Sequence, residues 1–264
     1  MLKGLTSMPD SGLYKLFISG VSPVTMDDVT SGFNIGTNVS LDTHLNECLG
    51  FTESETLEIL HYYHKAGRLP LDPDFCMSIM KQWYNNYRFA KRAQNVLFNS
   101  DMVLYFVQQA MKDSSIPEDL IDQNVKIDYN KLRYLITVDN QLNGNFSRLK
   151  NLIEKQEIVT DIVKSFPVEK IIDPENFISL LYYFGLLTIH SVADGVYLLK
   201  IPNLTIQKLM YGYIRSGFED VKVFKIEMWL LQKKSEIWRF VVTGPPFSNF
   251  FPSKLKNRQP FEIT

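Results

Sequence analysis

The stretch from residue 173 to residue 217 limits the possible folds most strongly, because three local signals follow one another directly. Asp173 and Pro174 are typical of a helix start, and apolar residues recur behind them at helical spacing. Two β-favouring runs follow, LLTIHSV and VYLLKIP, separated by Ala-Asp-Gly, which is typical of a tight turn. Asn203 then caps another helix. The sequence therefore predicts a helix, a two-stranded hairpin and a second helix.

This order of elements over so short a stretch is typical of a winged-helix unit, and we place the boundary with the preceding helical part near residue 160. Many winged helices bind DNA, but the helix after the hairpin offers only Lys208 and Arg215 as basic residues. Its apolar residues indicate packing against another domain instead. A protein contact is therefore favoured over DNA. The apolar residues are Leu204, Leu209, Met210 and Tyr213.

Two helix starts with good capping residues come before this unit. Thr52 and Glu55 match the T-x-x-E capping box, and Gly67 is predicted to end the helix that they begin. Asp72 followed by Pro73 is typical of the cap and first turn of a second helix.

Further along the chain, Asn99 is predicted to cap a third helix, and Asp128 a short fourth one. Residues 138–147, with Asn143-Gly144 at their centre, are predicted to form a turn or loop. The chain is therefore predicted to be a mainly helical α+β protein.

One predicted strand precedes all of these helices. Residues 13–19 are mostly apolar and β-favouring, and Gly20 ends them. A polar stretch rich in Ser, Thr and Gly follows this strand. Such a stretch is typical of the C-terminal end of a strand that faces a ligand in an α/β sheet. The twelve residues before the strand leave no room for further strands, so its edges are predicted to be uncovered and to favour self-association.

Charge and cysteine content exclude some classes of function. The formal net charge of −1 at pH 7 argues against nucleic-acid binding by bulk electrostatics, although it is compatible with a local basic patch. Cys48 and Cys76 form no C-x-x-C pair, and no signal peptide is recognisable, which predicts a cytoplasmic protein. The longest apolar run, residues 177–189, is too short to span a bilayer.

Candidate catalytic and metal-binding patterns are weak. His61 and His64 have the H-x-x-H spacing, but zinc needs a third ligand, and only His44 and Cys48 lie nearby in sequence. A solvated helix face is therefore favoured over a metal site. The sequence contains no G-x-S-x-G and no G-x-x-x-x-G-K-[ST], so it has no phosphate-binding loop of the usual kind.

The block WYNNYRFAKR, residues 83–92, combines aromatic residues with Arg88, Lys91 and Arg92. Such a combination fits stacking on nucleic-acid bases. It also fits a packed turn with a solvated basic rim, and this second interpretation is favoured.

Seven sequence blocks occur in one order along the chain: FISGVSPVTMDDVTSGFNI, LGFTESE, WYNNYRF, VLFNSDMVLYF, LIDQNVKIDYNKLRYLI, FISLLYYFGLLTI and LKIPNLTIQKL. Together they resemble the bacterial AAA-ATPase-like family whose members usually end in a PD-(D/E)XK nuclease-like domain. The resemblance extends over about residues 10–227 and is more specific than any single motif.

The resemblance implies a role in nucleotide binding for the strand that ends in SGVS. In that family the Walker A and Walker B segments come first, and a later strand of the sheet carries a sensor position next to the γ-phosphate of ATP. Ser19 matches that position, with Ser22 just beyond it. Residues 1–50 are thereby interpreted as the end of the ATPase core, and ATP and Mg²⁺ are the cofactors that the family implies.

The remaining blocks are interpreted in the same way. Residues 51–159 resemble the helical lid that packs over the nucleotide, and Arg88 within them is a candidate contact to phosphate. Residues 160–227 resemble the winged-helix part of the family.

The sequence departs from the family pattern because it contains neither Walker segment and no nuclease-like domain. We therefore predict no cofactor and no ATP hydrolysis for the chain alone, and an upstream fragment with Walker motifs or a second copy as its partner. The alternative is a non-enzymatic winged-helix interaction module that binds a protein or, less favoured, nucleic acid. A third hypothesis is a remnant without a selected function.

Residues 228–264 are predicted to be an aberrant tail. Family members continue here with segments similar to R-G-D-W-x-P-x-F-E-F-L and A-I-R-D-Y, which this chain lacks. Back-translation of residues 240–251 and 259–264 gives codons that can encode these two segments when the reading frame starts at the third base of each codon. These matches predict a frameshift between Lys233 and Phe240.

Overall fold

The computed structural model describes residues 37–125, 144–171 and 173–220, together with the short strand segments 24–25, 137–138 and 141–142. Within these residues the chain is mainly helical and has a small three-stranded antiparallel sheet, so the predicted α+β class is confirmed. The predicted strand 13–19, the helix start at Asp128 and the tail from residue 228 lie outside the described residues.

Short strands and longer helices alternate along the described chain. Strands β4, β7 and β6 form one antiparallel sheet in that order, β1 pairs with β5 in parallel, and β2 pairs with β3. The elements are β1 (Val24–Thr25), α1 (Glu53–Lys65), α2 (Pro73–Tyr84), α3 (Ser100–Asp113), β2 (Thr137–Val138), β3 (Gln141–Leu142), α4 (Gly144–Lys155), β4 (Glu157–Thr160), β5 (Phe166–Pro167), α5 (Pro174–Tyr183), β6 (Thr188–Ala193), β7 (Val196–Lys200) and α6 (Leu204–Asp220).

The caps predicted for α1 and α2 are confirmed. The Thr52 amide donates to Glu55 Oε2 at 2.8 Å and the Glu55 amide donates to Thr52 Oγ1 at 3.3 Å, which completes the capping box. Gly67 follows the end of α1 with a φ of 68°. The Phe75 amide donates to Asp72 Oδ2 at 2.8 Å at the start of α2. These local hydrogen bonds satisfy amides that have no partner within their own helix.

The later caps and the hairpin turn are confirmed as well. Asn99 Oδ1 accepts from the Met102 amide at 3.0 Å, and Asn203 Oδ1 accepts from the Ile206 amide at 3.2 Å. Asp194 and Gly195, between β6 and β7, have φ values of 50° and 88°. Two consecutive positive φ values match the right-handed twist of the strands that such a two-residue turn joins.

The prediction of a turn or loop over residues 138–147 is wrong from residue 144, where α4 begins. The sequence analysis also missed β4, the third strand of the sheet. The sequence contains a helical signal here, because the buried residues of α4 recur at helical spacing. The turn prediction rested on Asn143-Gly144 instead, a pair that is typical of turns. These buried residues are Asn145, Phe146, Leu149, Leu152 and Ile153.

The first hydrophobic core, here called the helical core, lies between α1, α2 and α3. Its largest fully buried side chains include Leu60, Met80, Tyr84 and Phe106. Each such side chain contributes about 1.5–3 kcal/mol through removal of its apolar surface from water.

The second core, here called the hairpin core, is formed by α4, α5, α6 and the sheet. It also contains Tyr87 and Leu97, which come from the segment between α2 and α3. Because α4 and β4 pack into this core, residues before position 160 contribute to the same cluster as the hairpin. The boundary near residue 160 stays a prediction.

Gly50→Ala is expected to lower the free energy of unfolding by about 2 kcal/mol. Gly50 has a φ of 102°, and a Cβ atom there would lie 2.8 Å from the carbonyl oxygen of Phe98. Urea denaturation followed by circular dichroism measures the change. Gly212→Ala is the control, because a Cβ atom meets nothing within 4 Å there, and it is expected to stabilise α6 by about 0.5–1 kcal/mol. Equal effects of the two substitutions would contradict the prediction.

Candidate functional site at the turn between the two cores

The segment from Trp83 to Arg92, here called the junction turn, connects the helical core to the hairpin core. Side chains at the start of α6 hold its first part: Asn203 Nδ2 donates to the Asn85 carbonyl at 2.9 Å, and Thr205 Oγ1 donates to the Trp83 carbonyl at 2.7 Å. Both donors are buried, so these hydrogen bonds form away from water. In return, Asn86 Nδ2 donates to the Pro202 carbonyl at 3.0 Å.

Arg88 binds the edge of β6 through its backbone and its side chain. Its amide donates to Thr188 Oγ1 at 2.7 Å, and its carbonyl accepts from the Ile189 amide at 3.3 Å. The guanidinium donates through Nη1 to the His190 carbonyl at 3.0 Å. Its Nε is buried and has no hydrogen-bond partner within the described residues. Arg88 thus covers the outer edge of the hairpin.

Two further side chains fix the middle of the junction turn, and the sequence analysis did not single out either of them. Asn46 Oδ1 accepts from the Phe89 amide at 2.9 Å, while its Nδ2 donates to the Asn95 carbonyl at 3.3 Å. Tyr182 on α5 donates to the Phe89 carbonyl at 2.7 Å. Asn46 is the buried residue of a short 3-10 helix, Thr43–Cys48, and has no spacing signal, so nothing in the sequence alone pointed to it.

The aromatic residues of the junction turn face the protein interior. Trp83, Tyr84 and Tyr87 are buried, and Tyr87 stacks on Phe89 with ring centroids 6.1 Å apart. Burial raises the pKa of the Tyr87 phenol to about 12, so the phenol stays protonated at neutral pH. The interpretation of this block as a packed turn is confirmed, and these rings present no stacking surface to bases.

The basic residues of the junction turn lie at its rim. Lys91 and Arg92 are exposed, and Lys91 Nζ lies 5.8 Å from the centre of the Tyr197 ring. This distance permits a cation–π contact, worth about 0.5–1 kcal/mol at an exposed site.

The three residues that the family resemblance assigns to nucleotide binding cannot be compared as a set. Ser19 and Ser22 lie outside the described residues, whereas Arg88 lies in the junction turn and binds β6. The nucleotide role of all three stays a prediction.

The histidines and cysteines do not converge on a metal site. His64 Nδ1 lies 3.0 Å from the Leu69 carbonyl, where it helps to close the end of α1. In the part of the chain that the structure describes, no group of three or more potential metal ligands occurs. Burial raises the pKa of the Cys76 thiol to about 11, whereas Cys48 is exposed.

The helix that precedes the hairpin, α5, is buried along almost its whole length. Every residue from Asn176 to Tyr182 is buried, and the helix packs within the hairpin core. A helix that enters a DNA groove needs an exposed polar face, and α5 lacks one over these residues. The helix after the hairpin, α6, packs its Met210 and Tyr213 in this same core, whereas the sequence predicted that they pack against another domain.

Comparison of the chain with protein-family models, with curated proteins and with solved structures gave no significant match.

Among the described residues, none of the helices combines the length and apolar character needed to cross a membrane.

Proposed function

We propose that this chain provides the lid and winged-helix parts of an AAA-ATPase-like domain, of an ATP-binding family, and does not hydrolyse ATP on its own. The main support is topological. A helix, a strand, a helix and a hairpin occur in the order α4, β4, α5, β6 and β7, with the two-residue strand β5 between β4 and α5, and β4 pairs with the second strand of the hairpin. This order and pairing are expected of a winged-helix unit. The unit overlaps residues 160–227, which resemble the winged helix of that family, but its first helix lies before residue 160 and its first strand ends there.

The environment of Arg88 supports a contact with phosphate. A guanidinium is always charged in proteins and carries five N–H donors, of which the His190 carbonyl takes only one. Phosphate oxygens would accept hydrogen bonds from the Nη N–H groups that the His190 carbonyl does not take. When bound, ATP and Mg²⁺ would supply the phosphoryl group and its charge neutralisation. Arg88 would then orient a phosphate from the hairpin edge.

The purified chain is expected to release no phosphate from ATP above background. Turnover needs a phosphate cradle and a coordinated metal, and these 264 residues contain no G-x-x-x-x-G-K-[ST] segment. A phosphate-release assay with Mg²⁺ measures this. Magnesium-dependent turnover that disappears in Ser19→Ala would contradict the proposal.

The family assignment has a separate test. DNA upstream of this gene should encode the Walker segments in an adjacent reading frame.

A non-enzymatic interaction module is the second candidate. The burial of α5 disfavours DNA as its partner, because the helix directly before the hairpin has no exposed face over residues 176–182. A protein partner is therefore the version of this hypothesis that the structure favours.

A further inference from the structure

The outer side of α1 forms a shallow groove that none of the elements described above fills. Its volume is about 440 Å³, and half-buried apolar side chains line it together with two carboxylates and the phenol of Tyr62. Tyr62 is 68 % exposed, which is unusual for an aromatic residue in the middle of a helix. The lining residues are Phe51, Glu55, Glu58, Ile59, Tyr62 and Tyr63.

The groove is held in shape by contacts that do not depend on a ligand. Phe51 exchanges two backbone hydrogen bonds with Phe98, of 3.1 and 2.8 Å. The capping box holds the Glu55 carboxylate, and Tyr62 packs edge-on against Tyr63 with centroids 5.3 Å apart. A preformed site loses little conformational entropy when a ligand binds.

The charges in the groove are negative and unpaired within the described part of the chain. Glu53, the first residue of α1, forms a salt bridge with Lys81 at 2.6 Å. Within the described residues, neither Glu55 nor Glu58 has a salt-bridge partner. The helix dipole favours Glu55 in the first turn. It does not account for Glu58 in the second turn, where a like charge three residues away destabilises the helix slightly.

We propose that this groove binds an arginine-containing segment of a protein partner. A guanidinium over the Tyr62 ring gains a cation–π contact, and Glu58 accepts hydrogen bonds from its N–H groups. A neighbouring apolar side chain of the partner packs on Ile59. The two carboxylates repel phosphate groups, which makes nucleic acid an unfavourable occupant. This inference is independent of the nucleotide-related proposal, because it involves none of the residues assigned to ATP.

The test uses the full chain, labelled with ¹⁵N and deuterium, and the peptide acetyl-Leu-Arg-Leu-Arg-amide as the probe. NMR titration to about 2 mM peptide is expected to shift amide resonances around Phe51 and residues 55–63, and added salt weakens the binding. Glu58→Gln and Tyr62→Ala are each expected to bind roughly threefold to tenfold more weakly. Both positions are exposed, so each substitution should shift the melting temperature by less than about 3 °C.

Two controls make the result specific. The same peptide with citrulline in place of arginine keeps the shape but loses the charge, and it is expected not to bind. Glu154→Gln removes an exposed carboxylate from α4, outside the groove, and should bind like the unmodified chain. The proposal is overturned if no binding occurs, if the citrulline peptide binds equally well, or if the shifts lie elsewhere. It is also overturned if the groove resonances shift with protein concentration alone, because the occupant is then a second copy.

Discussion

Phe106→Ala is expected to lower the free energy of unfolding by about 3–5 kcal/mol. Phe106 lies in the middle of α3, is fully buried in the helical core, and packs edge-on against Tyr84 with ring centroids 6.3 Å apart. Removal of the ring takes away its apolar contacts and leaves a cavity that the surrounding helices fill only in part. Urea denaturation followed by circular dichroism gives the change in free energy.

Leu104→Ala is the matched control for this substitution. It removes an apolar side chain from the same helix, but Leu104 is 45 % exposed, so little buried surface is lost. A change of less than about 1 kcal/mol is expected. If the two substitutions destabilised the protein equally, α3 would not pack as described.

Asn203→Ala is expected to cost about 2–4 kcal/mol of stability, as the sum of two losses. The helix α6 loses its cap, because the Ile206 amide no longer has the Oδ1 acceptor. The buried carbonyl of Asn85 also loses its donor, Asn203 Nδ2. Thermal and urea denaturation measure the total effect.

Thr205→Val tests a further hydrogen bond between α6 and the junction turn. It removes the hydrogen bond to the Trp83 carbonyl without affecting the cap, and about 1–3 kcal/mol is expected. Asn151→Ala, on the exposed face of α4, should change stability by less than about 0.5 kcal/mol. If Thr205→Val were as harmless as Asn151→Ala, the hydrogen bonds at the junction turn would contribute nothing to stability.

Local signals account for what the sequence predicted well. Thr52, Asp72, Asn99 and Asn203 each satisfy the amide three residues ahead, so the sequence around the cap contains the whole interaction. The turn at Asp194-Gly195 is equally local. The fold class and the hairpin follow from such signals and from hydrophobic periodicity.

The interactions that the sequence did not reveal join residues far apart in the chain. The β-branched residues of β4 favour a strand, but its place in the sheet depends on pairing with β7, about 40 residues further along the chain. Asn46, in a short 3-10 helix, and Thr188, at the start of β6, have no distinctive sequence signal, and the fold brings them to Phe89 and Arg88. Arg88 was singled out as a basic residue of the WYNNYRFAKR block and, through family resemblance, as a phosphate contact. Neither observation indicated that its backbone and guanidinium would bind β6.

The wide sequence separation of the junction contacts has a consequence for the order of folding. Arg88 and Thr188 are 100 residues apart, Asn86 and Pro202 are 116 apart, and Trp83 and Thr205 are 122 apart. Closing such long loops is entropically costly, whereas α1, α2 and α3 meet through contacts that are close in sequence. During synthesis on the ribosome, the helical core therefore forms first. The carbonyls of Trp83 and Asn85 then have no hydrogen-bond donors, because Thr205 and Asn203 have not yet been synthesised. The junction turn is completed only when α6 emerges, which makes the last described helix the element that commits both cores to their final arrangement.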